Sequence, residues 1–495
     1  MVNFFRFIVL SIFGGAVLSS CHSDNPDPII NEPLPVETFQ AGKAPPEYPA
    51  SVVFDNVNVI TMTTEEDDVV RNNQRVIVEN SEIIEIGPQD SIAIPTEALV
   101  IDAQGGYLLP GFIDSHVHFE HDGNLEEVAL LFTEPAQMSL YLQQGITTTR
   151  SYSGTPRNID WRDKVSSGDW LGTRIISSGP MLNNPLLFEE LGIDIEELSD
   201  DFLENVSVAV PSDPDAAVQE VNRQVQLGYD YLKIYAGVEE AIYMAAVGEA
   251  KSNDWFIAGH IPEVELETVL RNHDEIAHIT ELVERFEDQD MSWEVYQQWL
   301  VDMMVSEQVS VVFNWSTDEV VMALSEGVDV FQNDSYRFIP EPILEQWRTQ
   351  IGEESSLTEL EHERSLALAK SLIDAGVIVL AGSDTSDPGS IPEFIHRELE
   401  LLVEAGVTPY QALLTTTRFA AEMIEKITGE DTSFGEIRVG HKADLVLLSN
   451  NPLTDISNTR ERLGVMVNGH WFTQEDLDEM AKEFQKMPVV PLKFQ

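Results

Sequence analysis

The chain has 495 residues, of which 43% are hydrophobic and 23% are charged. These proportions are typical of a globular protein rather than a disordered one. The 86 acidic residues against 28 basic ones give a formal net charge of −58, which argues against binding to nucleic acid or to an anionic lipid surface, because few cations are available to neutralise phosphates. At this length we expect one large domain with a smaller one beside it.

The first 21 residues have the composition of an export signal. Arg6 is the only basic residue there, and the apolar run over residues 4–18 is short for a membrane span. The run ends in Leu18-Ser19-Ser20-Cys21, which resembles the lipobox of a bacterial lipoprotein. The resemblance implies that Cys21 becomes a lipidated N-terminus, whereas the alternative is an ordinary secretory signal with an incidental cysteine. We therefore expect an exported, lipid-anchored protein, periplasmic or at the cell surface.

Both ends of the chain carry strand-like segments. Residues 22–48 are rich in Pro, Asp, Asn and Glu and indicate a flexible tether. Runs rich in β-branched residues then predict strands at 51–62, 75–86, 99–102, 435–439, 443–448 and 464–471. We predict that residues 49–108 and 430–475 together form a small β-sandwich, and that residues 476–495 form a C-terminal tail.

The middle of the chain, residues 109–429, alternates apolar strand-like runs with helical patterns. The first run begins at Gly111, and seven more cover 145–150, 174–178, 231–234, 256–260, 275–279, 309–314 and 377–384. Eight strand–helix units indicate an α/β fold of the (β/α)₈ TIM-barrel type. In that fold the reactive side chains lie at the carboxyl ends of the strands.

Polar side chains lie in or at the ends of several of these runs. His116 and His118 are two residues apart, so in a strand both would point to the same face, where two imidazoles suit a divalent cation such as zinc. The alternative is a strand with two polar residues that only complete hydrogen bonds. Lys233 lies inside an apolar run, where an unpaired charge is costly to bury. Three further polar residues end later runs: His260, His278 and Asp384.

The ordered set of motifs resembles the amidohydrolase superfamily, and within it the imidazolonepropionase-like and Xaa-Pro-dipeptidase-like branch. The resemblance covers roughly residues 50–475. Its carriers are Pro110-Gly111-Phe112-Ile113-Asp114-Ser115-His116-Val117-His118, Gly145-Ile146-Thr147-Thr148-Thr149-Arg150, Ala258-Gly259-His260, Gly382-Ser383-Asp384 and Gly440-His441-Lys442-Ala443-Asp444-Leu445-Val446.

This resemblance implies a centre of two divalent metal ions, with zinc as the first candidate. The implied ligands are His116 and His118 for the first ion, His260 and His278 for the second, Asp384 for the first and Lys233 for both. Lys233 falls where binuclear members carry a lysine that carbon dioxide converts to a carbamate, and this anion bridges the two ions.

The resemblance also implies a reaction. A metal-activated hydroxide would cleave an amide bond in a small molecule or dipeptide, either a cyclic amide or possibly an Xaa-Pro dipeptide, with Asp384 as general base and then general acid. Three alternatives stay open: a lactone or phosphoester hydrolase on the same site, a mononuclear deaminase-like enzyme, and a surface lipoprotein that binds without catalysis. A homo-oligomer is compatible with each of them.

Four further residues are candidates for substrate contact: Arg150, Tyr152, Tyr235 and His396. Arg150 could bind a substrate carboxylate through its planar guanidinium, or pair with an internal carboxylate such as Asp114. The hydroxyls of Tyr152 and Tyr235 could donate to a tetrahedral oxyanion, or both rings could serve packing. His396, at the start of a predicted helix, could contact the substrate or support a metal ligand.

Overall fold

The computed structural model describes residues 50–63, 69–119, 127–129, 135–184, 203–204, 207–353, 355, 357–385, 389–486 and 491–493. The predicted export signal, the tether and Cys21 lie outside these residues, so these assignments stay predictions. Within the described part of the chain, the helices are all too short or too polar to cross a bilayer.

The described chain forms strands throughout its length. In chain order they are β1 (Ser51–Ile60), β2 (Val70–Glu79), β3 (Glu82–Pro88), β4 (Leu99–Asp102), β5 (Tyr107–Pro110), β6 (Phe112–Val117), β7 (Glu127–Ala129), β8 (Ile146–Ser151), β9 (Arg174–Ser177), β10 (Met181–Leu182), β11 (Val208–Ala209), β12 (Leu232–Ile234), β13 (Ile257–Gly259), β14 (Glu275–Ile276), β15 (Ser310–Val312), β16 (Val379–Leu380), β17 (Leu445–Leu448), β18 (Arg462–Val467), β19 (His470–Thr473) and β20 (Pro491–Lys493).

Helices lie mainly in the middle of the chain. They are α1 (Met138–Gln143), α2 (Pro156–Ser166), α3 (Pro214–Leu227), α4 (Glu240–Ser252), α5 (Leu266–Leu270), α6 (Ile279–Glu284), α7 (Trp293–Glu307), α8 (Trp315–Ser325), α9 (Glu341–Trp347), α10 (Glu359–Asp374), α11 (Phe394–Glu404), α12 (Pro409–Thr415), α13 (Arg418–Thr428) and α14 (Gln474–Gln485). Helix α13 illustrates how they bury one face. Its buried residues recur at helical spacing: Ala420, Ala421, Met423, Ile424 and Ile427.

Strands from both ends of the chain form one mixed sheet of eight strands. Its order is β19-β18-β17-β5-β1-β2-β3, with β4 paired to β1. The predicted run 75–86 contains two strands, because Asn80 and Ser81 adopt positive φ and turn the chain between β2 and β3. The prediction of a strand at 435–439 is wrong, since this segment is a loop before β17.

The eight runs predicted in the middle of the chain all contain strands, which lie in two parallel sheets. One sheet comprises β6, β8 and β9, and the other has the order β11-β10-β12-β13-β14-β15-β16. Isolated parallel bridges join the two sheets, one between Ser178 and Tyr231 and one between Val117 and Thr385. This mixed α/β arrangement is consistent with the predicted TIM barrel beside a β domain.

The segment predicted as a C-terminal tail contains a packed helix. Helix α14 starts at a capping box in which Thr473 and Asp476 satisfy each other's backbone N–H groups. Its buried residues are Leu477, Ala481 and Phe484. Beyond it, β20 pairs antiparallel with β7, in the segment that follows β6.

Candidate metal centre

The residues predicted as metal ligands meet at the carboxyl ends of the parallel strands. His116 lies near the end of β6 and His118 directly follows that strand. His260 follows β13, and His278 and Asp384 lie shortly after β14 and β16. Lys233 is the central residue of β12.

Asp384 is the point on which the imidazoles converge. Its Oδ1 atom lies 3.0 Å from Nε2 of His118 and 3.3 Å from Nε2 of His116, and its Oδ2 atom lies 3.6 Å from Nδ1 of His278. The ring centroids of His116 and His118 are 5.2 Å apart, those of His116 and His278 are 4.8 Å apart, and those of His278 and His260 are 4.9 Å apart. Four imidazoles and a carboxylate therefore form one contiguous set of nitrogen and oxygen donors, which suits zinc and related divalent ions.

Three residues that the sequence reasoning missed fix the orientation of these rings. Nδ1 of His116 donates to Oδ1 of Asn314 at 3.1 Å, and Nδ1 of His118 is hydrogen-bonded to Oγ of Ser153 at 2.8 Å. Nδ1 of His260 is hydrogen-bonded to the carboxylate of Glu281. Each contact occupies the Nδ1 atom and leaves Nε2 to act as a ligand, which is how ligating histidines are usually held.

Two of the missed residues had a signal in the sequence. Asn314 ends the apolar run 309–314, as His260 ends an earlier one. Glu281 lies three residues after His278, a spacing that puts both on one side of the first turn of α6. No comparable pattern marks Ser153 in the sequence.

The backbone around the centre is unusually constrained. His278 and Asp384 both adopt positive φ, +57° and +51°, which costs energy for a residue with a side chain and occurs preferentially at functional sites. Gly259 lies against β12 so closely that a Cβ atom there would be 2.1 Å from the carbonyl oxygen of Ile234. Only glycine allows this approach, and the N–H of the next residue, His260, donates to that same oxygen at 3.0 Å.

Burial keeps three of the imidazoles neutral, and neighbouring groups keep the carboxylate charged. It lowers the pKa of His116 and of His260 well below the usual range and the pKa of His278 to about 4. Burial by itself would raise the pKa of Asp384, but the neighbouring His278, His118 and Lys233 lower it to about 2. Neutral imidazole and ionised carboxylate are the forms that bind metal.

Two buried nitrogen atoms test whether a metal centre fits here. Nζ of Lys233 and Nε2 of His116 are both buried and make no hydrogen bond within the described part of the chain. Buried polar atoms without partners are costly and therefore rare. Geometrically, His116, His278 and Asp384 form one potential ligand cluster, and His260, His278 and Glu281 form another that shares His278. The residues present fit a divalent metal centre.

Lys233 is the only amine in this ligand set. Burial lowers its pKa to about 8, and the nearby carboxylates of Glu281, Asp384 and Glu275 offset part of this effect. The ammonium nitrogen lies 4.5 Å from the centroid of the Tyr152 ring. A larger fraction of the amine is therefore neutral near pH 7 than for an exposed lysine.

Arg150 is buried and pairs with an internal carboxylate, and its assignment to substrate binding stays untested. Its guanidinium is buried and makes two bonds to the carboxylate of Glu275, at 3.2 and 2.5 Å, while Nε donates to the carbonyl of Ser115 at 2.8 Å. The alternative of an internal carboxylate is confirmed, with Glu275 in the place of Asp114. Asp114 instead accepts from the backbone N–H of Ser383 at 2.9 Å, which ties β6 to the segment that carries Asp384.

Tyr152 and His396 are also buried and hydrogen-bonded to other residues of the chain, so their role as substrate contacts stays a prediction. The Tyr152 hydroxyl is buried, donates to Glu275 and accepts from Arg150 at 2.9 Å. His396 is buried between Thr459 and Arg462, whose Nη1 atom donates to Nε2 of the imidazole at 2.9 Å. Its ring packs against Phe112, at the opposite end of β6 from the ligands.

Tyr235 lies beside the centre, so its role in substrate binding stays a prediction. Its ring meets that of His260 edge-on, with centroids 4.5 Å apart. On the other side of the centre, His118 and Thr385 border a mainly apolar groove. The remaining described residues that line it are Gln137, Leu140, Tyr141, Ile339, Ser390, Ile391 and Pro392.

Comparison with known proteins agrees with this geometry. The model of the Amidohydrolase family matches residues 107–472. Among solved structures, a prolidase complexed with N-methylphosphonate-L-proline is 21% identical, with a TM-score of 0.65 over 86% of this chain and 99% of that one. A Xaa-Pro dipeptidase with methionine bound in its active site is 19% identical, with a TM-score of 0.63 over 86% of this chain and 100% of that one. At these identities the likeness establishes the fold alone.

Sequence relatives match over shorter segments. A 5'-deoxyadenosine deaminase from Methanococcoides burtonii is 39% identical over 69 residues, which are 14% of this chain and 15% of that protein. The matched segments span between 11% and 15% of the length of the curated relatives.

Proposed function

Because the chain belongs to the amidohydrolase family, we propose that it is a metal-dependent hydrolase that cleaves an amide bond in a small substrate, either a cyclic amide or a dipeptide of the Xaa-Pro type. The observation that carries this proposal is the convergence of His116, His118 and His278 on the carboxylate of Asp384. Beside this set lies the buried and unpaired amine of Lys233.

We assign the ligands of two ions from this arrangement. His116, His118 and Asp384 would hold one ion, and His260 and His278 the other. A bound divalent ion supplies Lewis-acid polarisation of a carbonyl group and a more acidic water. Zinc suits the set because every donor is nitrogen or oxygen and imidazole dominates.

Lys233 would complete the centre as a carbamate between the two positions. The neutral amine attacks the carbon of carbon dioxide, an N–C bond forms, and one proton leaves to solvent. The product is an anion with two oxygen atoms, so its burial beside cations is favourable where that of a lone ammonium is not. The lowered pKa of Lys233, about 8, supports this step because the reactive form is the neutral amine.

Asp384 is the residue to which we assign proton transfer. With its pKa lowered to about 2 it is ionised at neutral pH, so it can accept a proton from the attacking water and deliver it to the leaving nitrogen. The hydrogen bonds to Asn314 and Ser153 keep His116 and His118 oriented while this occurs.

The choice of dipeptides rests on proteins with the same fold. Two of the solved structures are described as a prolidase and a Xaa-Pro dipeptidase. Xaa-Pro dipeptides are therefore the first substrates to screen.

The test combines metal analysis with a substrate screen on the chain from residue 22 onward. We expect about two equivalents of metal, hydrolysis of at least one Xaa-Pro dipeptide or cyclic amide, and a fall in kcat of roughly 10²–10⁴-fold in Asp384→Asn. Lys233→Ala should lose metal. One equivalent that survives Lys233→Ala would favour the mononuclear, deaminase-like alternative. Absence of bound metal would contradict the proposal.

We also propose that the protein is exported and anchored through lipid on Cys21. The motif Leu18-Ser19-Ser20-Cys21 supports this assignment. Expression of the full chain in a bacterial host should place it in the membrane fraction, and Cys21→Ala should remove it from that fraction. An unchanged distribution would contradict lipid anchoring.

A further inference from the structure

The ring of Tyr152 contacts residues from both halves of the candidate centre. It stacks on the imidazole of His116, with the centroids 3.8 Å apart and the planes inclined by 16°. Nζ of Lys233 lies 4.5 Å from the centroid of the same ring. His116, assigned to the first ion, and Lys233, assigned to both ions, therefore contact the same side chain, that of Tyr152.

The hydroxyl end of Tyr152 is held as firmly as the ring. It donates to the carboxylate of Glu275 and accepts from Nη2 of Arg150. Arg150 is fixed in turn by the carbonyl of Ser115 on β6, and Glu275 accepts from Oγ of Ser310 on β15 at 3.2 Å. The Arg150–Glu275 pair thus connects strands β6, β8, β14 and β15, and the phenol group of Tyr152 bonds to both members of this pair.

We propose that Tyr152 is a positioning residue that fixes His116 relative to Lys233, and thereby sets the separation of the two metal positions. This inference rests on the proposed metal-dependent function. The stacked ring of Tyr152 prevents the His116 imidazole from rotating. The same ring contacts the side chain of Lys233. The Arg150–Glu275 pair adds charge-assisted hydrogen bonds at the hydroxyl, but the contacts with His116 and Lys233 are made by the ring.

A neighbouring tyrosine, Tyr231, is a control that distinguishes this positioning role from ordinary packing. Tyr231 is as deeply buried as Tyr152 and belongs to the same hydrophobic cluster. Its ring contacts Tyr152, at 5.6 Å, Phe256, at 6.2 Å, and the guanidinium of Arg150, at 5.9 Å. Its hydroxyl donates to the carbonyl of Ser151. Removal of the Tyr231 ring should create a comparable cavity while the contacts of Tyr152 with His116 and Lys233 remain.

The test compares Tyr152→Leu, Tyr152→Phe and the control Tyr231→Leu by metal content and by the absorption spectrum of the cobalt-substituted protein. In Tyr152→Leu we expect metal affinity to fall by about 10- to 100-fold, the range for loss of a group that orients ligands, and the cobalt spectrum to change. Tyr152→Phe keeps the ring and should keep about two equivalents. Should Tyr152→Leu fail to fold, Tyr152→Met, which fills the space without a ring, carries the same expectation.

Three results would overturn the inference. In the first, Tyr152→Leu or Tyr152→Met keeps the wild-type stoichiometry and cobalt spectrum. In the second, Tyr231→Leu loses as much metal as Tyr152→Leu, which would indicate a general effect of cavities in this core. In the third, Tyr152→Phe loses as much metal as Tyr152→Leu, which would assign the effect to the hydroxyl. A wild-type chain without metal would instead refute the proposed function itself.

Discussion

The side chains of His116 and Asn314 are joined by a hydrogen bond of 3.1 Å between Nδ1 and Oδ1. The amide nitrogen of Asn314 donates at the same time to the carbonyl of Gly382, at 2.8 Å, two residues before Asp384. One amide group therefore holds a proposed metal ligand and the segment that carries the proposed proton acceptor.

We expect Asn314→Ala to weaken metal binding at the first position by about 10- to 100-fold. The variant frees Nδ1 of His116, so the ring loses the contact that fixes its orientation. Equilibrium dialysis against zinc measures the effect. Asn222→Ala on α3, where the amide donates to Val218 and Glu249, is the control. Equal zinc affinity in the wild type and Asn314→Ala would contradict the orienting role.

Glu281 has the corresponding role for the second position. Its carboxylate bonds Nδ1 of His260 and accepts from the backbone N–H of Ile261 at 2.6 Å. We expect Glu281→Ala to lower the metal content from two equivalents toward one, because only His278 keeps its orientation. Glu284→Gln, on the same short helix, should keep both ions. Metal analysis of the two variants measures this effect. Equal metal contents in Glu281→Ala and Glu284→Gln would contradict the orienting role of Glu281.

The Arg150–Glu275 pair should matter for stability as well. Both side chains are buried, so removing one partner leaves an uncompensated charge in the core, and we expect Glu275→Gln to lower the free energy of unfolding by about 3–5 kcal/mol. Urea unfolding monitored by circular dichroism measures this. The exposed pair of Arg271 and Glu267 serves as the control, since Glu267→Gln should change little. A small effect in Glu275→Gln would show that the network tolerates a neutral acceptor.

Glu398 makes stability depend on pH. Burial raises the pKa of Glu398 from 4.5 to about 8, although the hydrogen bond from the N–H of Ser316 lowers it in part. The folded protein therefore holds a proton that the unfolded chain releases above pH 4.5. The resulting stabilisation is complete below pH 4.5 and is lost as the pH rises through 8, by up to about 1.4 kcal/mol per unit.

Glu398→Gln should remove this dependence, because glutamine keeps a carbonyl oxygen for Ser316 and does not titrate. The measurement is the free energy of unfolding in urea at pH 5, 6, 7 and 8 for both proteins. We expect a steeper decline in the wild type than in the variant. Parallel curves would mean that Glu398 ionises in the folded state as readily as in the unfolded chain.

The sequence was informative where a polar residue closed an apolar run, although Asn314, which also closes one, was missed. His260, His278 and Asp384 were found in this way and His116 through its spacing from His118, and the structure places them together. This works because the carboxyl ends of parallel strands share one edge of the sheet. A residue that ends its run is therefore expected at that edge, whatever its distance along the chain from the others.

The sequence was less informative about partners across the core. Arg150 and Tyr152 lie where the motif predicts, but their contacts depend on Glu275, which lies 125 positions from Arg150 along the chain. No local pattern encodes such a pairing. The contacts of His396 are equally non-local, since Arg462, on β18, donates to its Nε2 atom.

The mixed sheet has a consequence for the order in which the molecule can fold. In it β5 pairs with β17, with Leu109 opposite Val446. A chain that emerges from its N-terminus cannot form this pairing until nearly all of its length has appeared. Contacts so distant in sequence slow folding, and one edge of β5 stays unpaired until residues 445–448 are available.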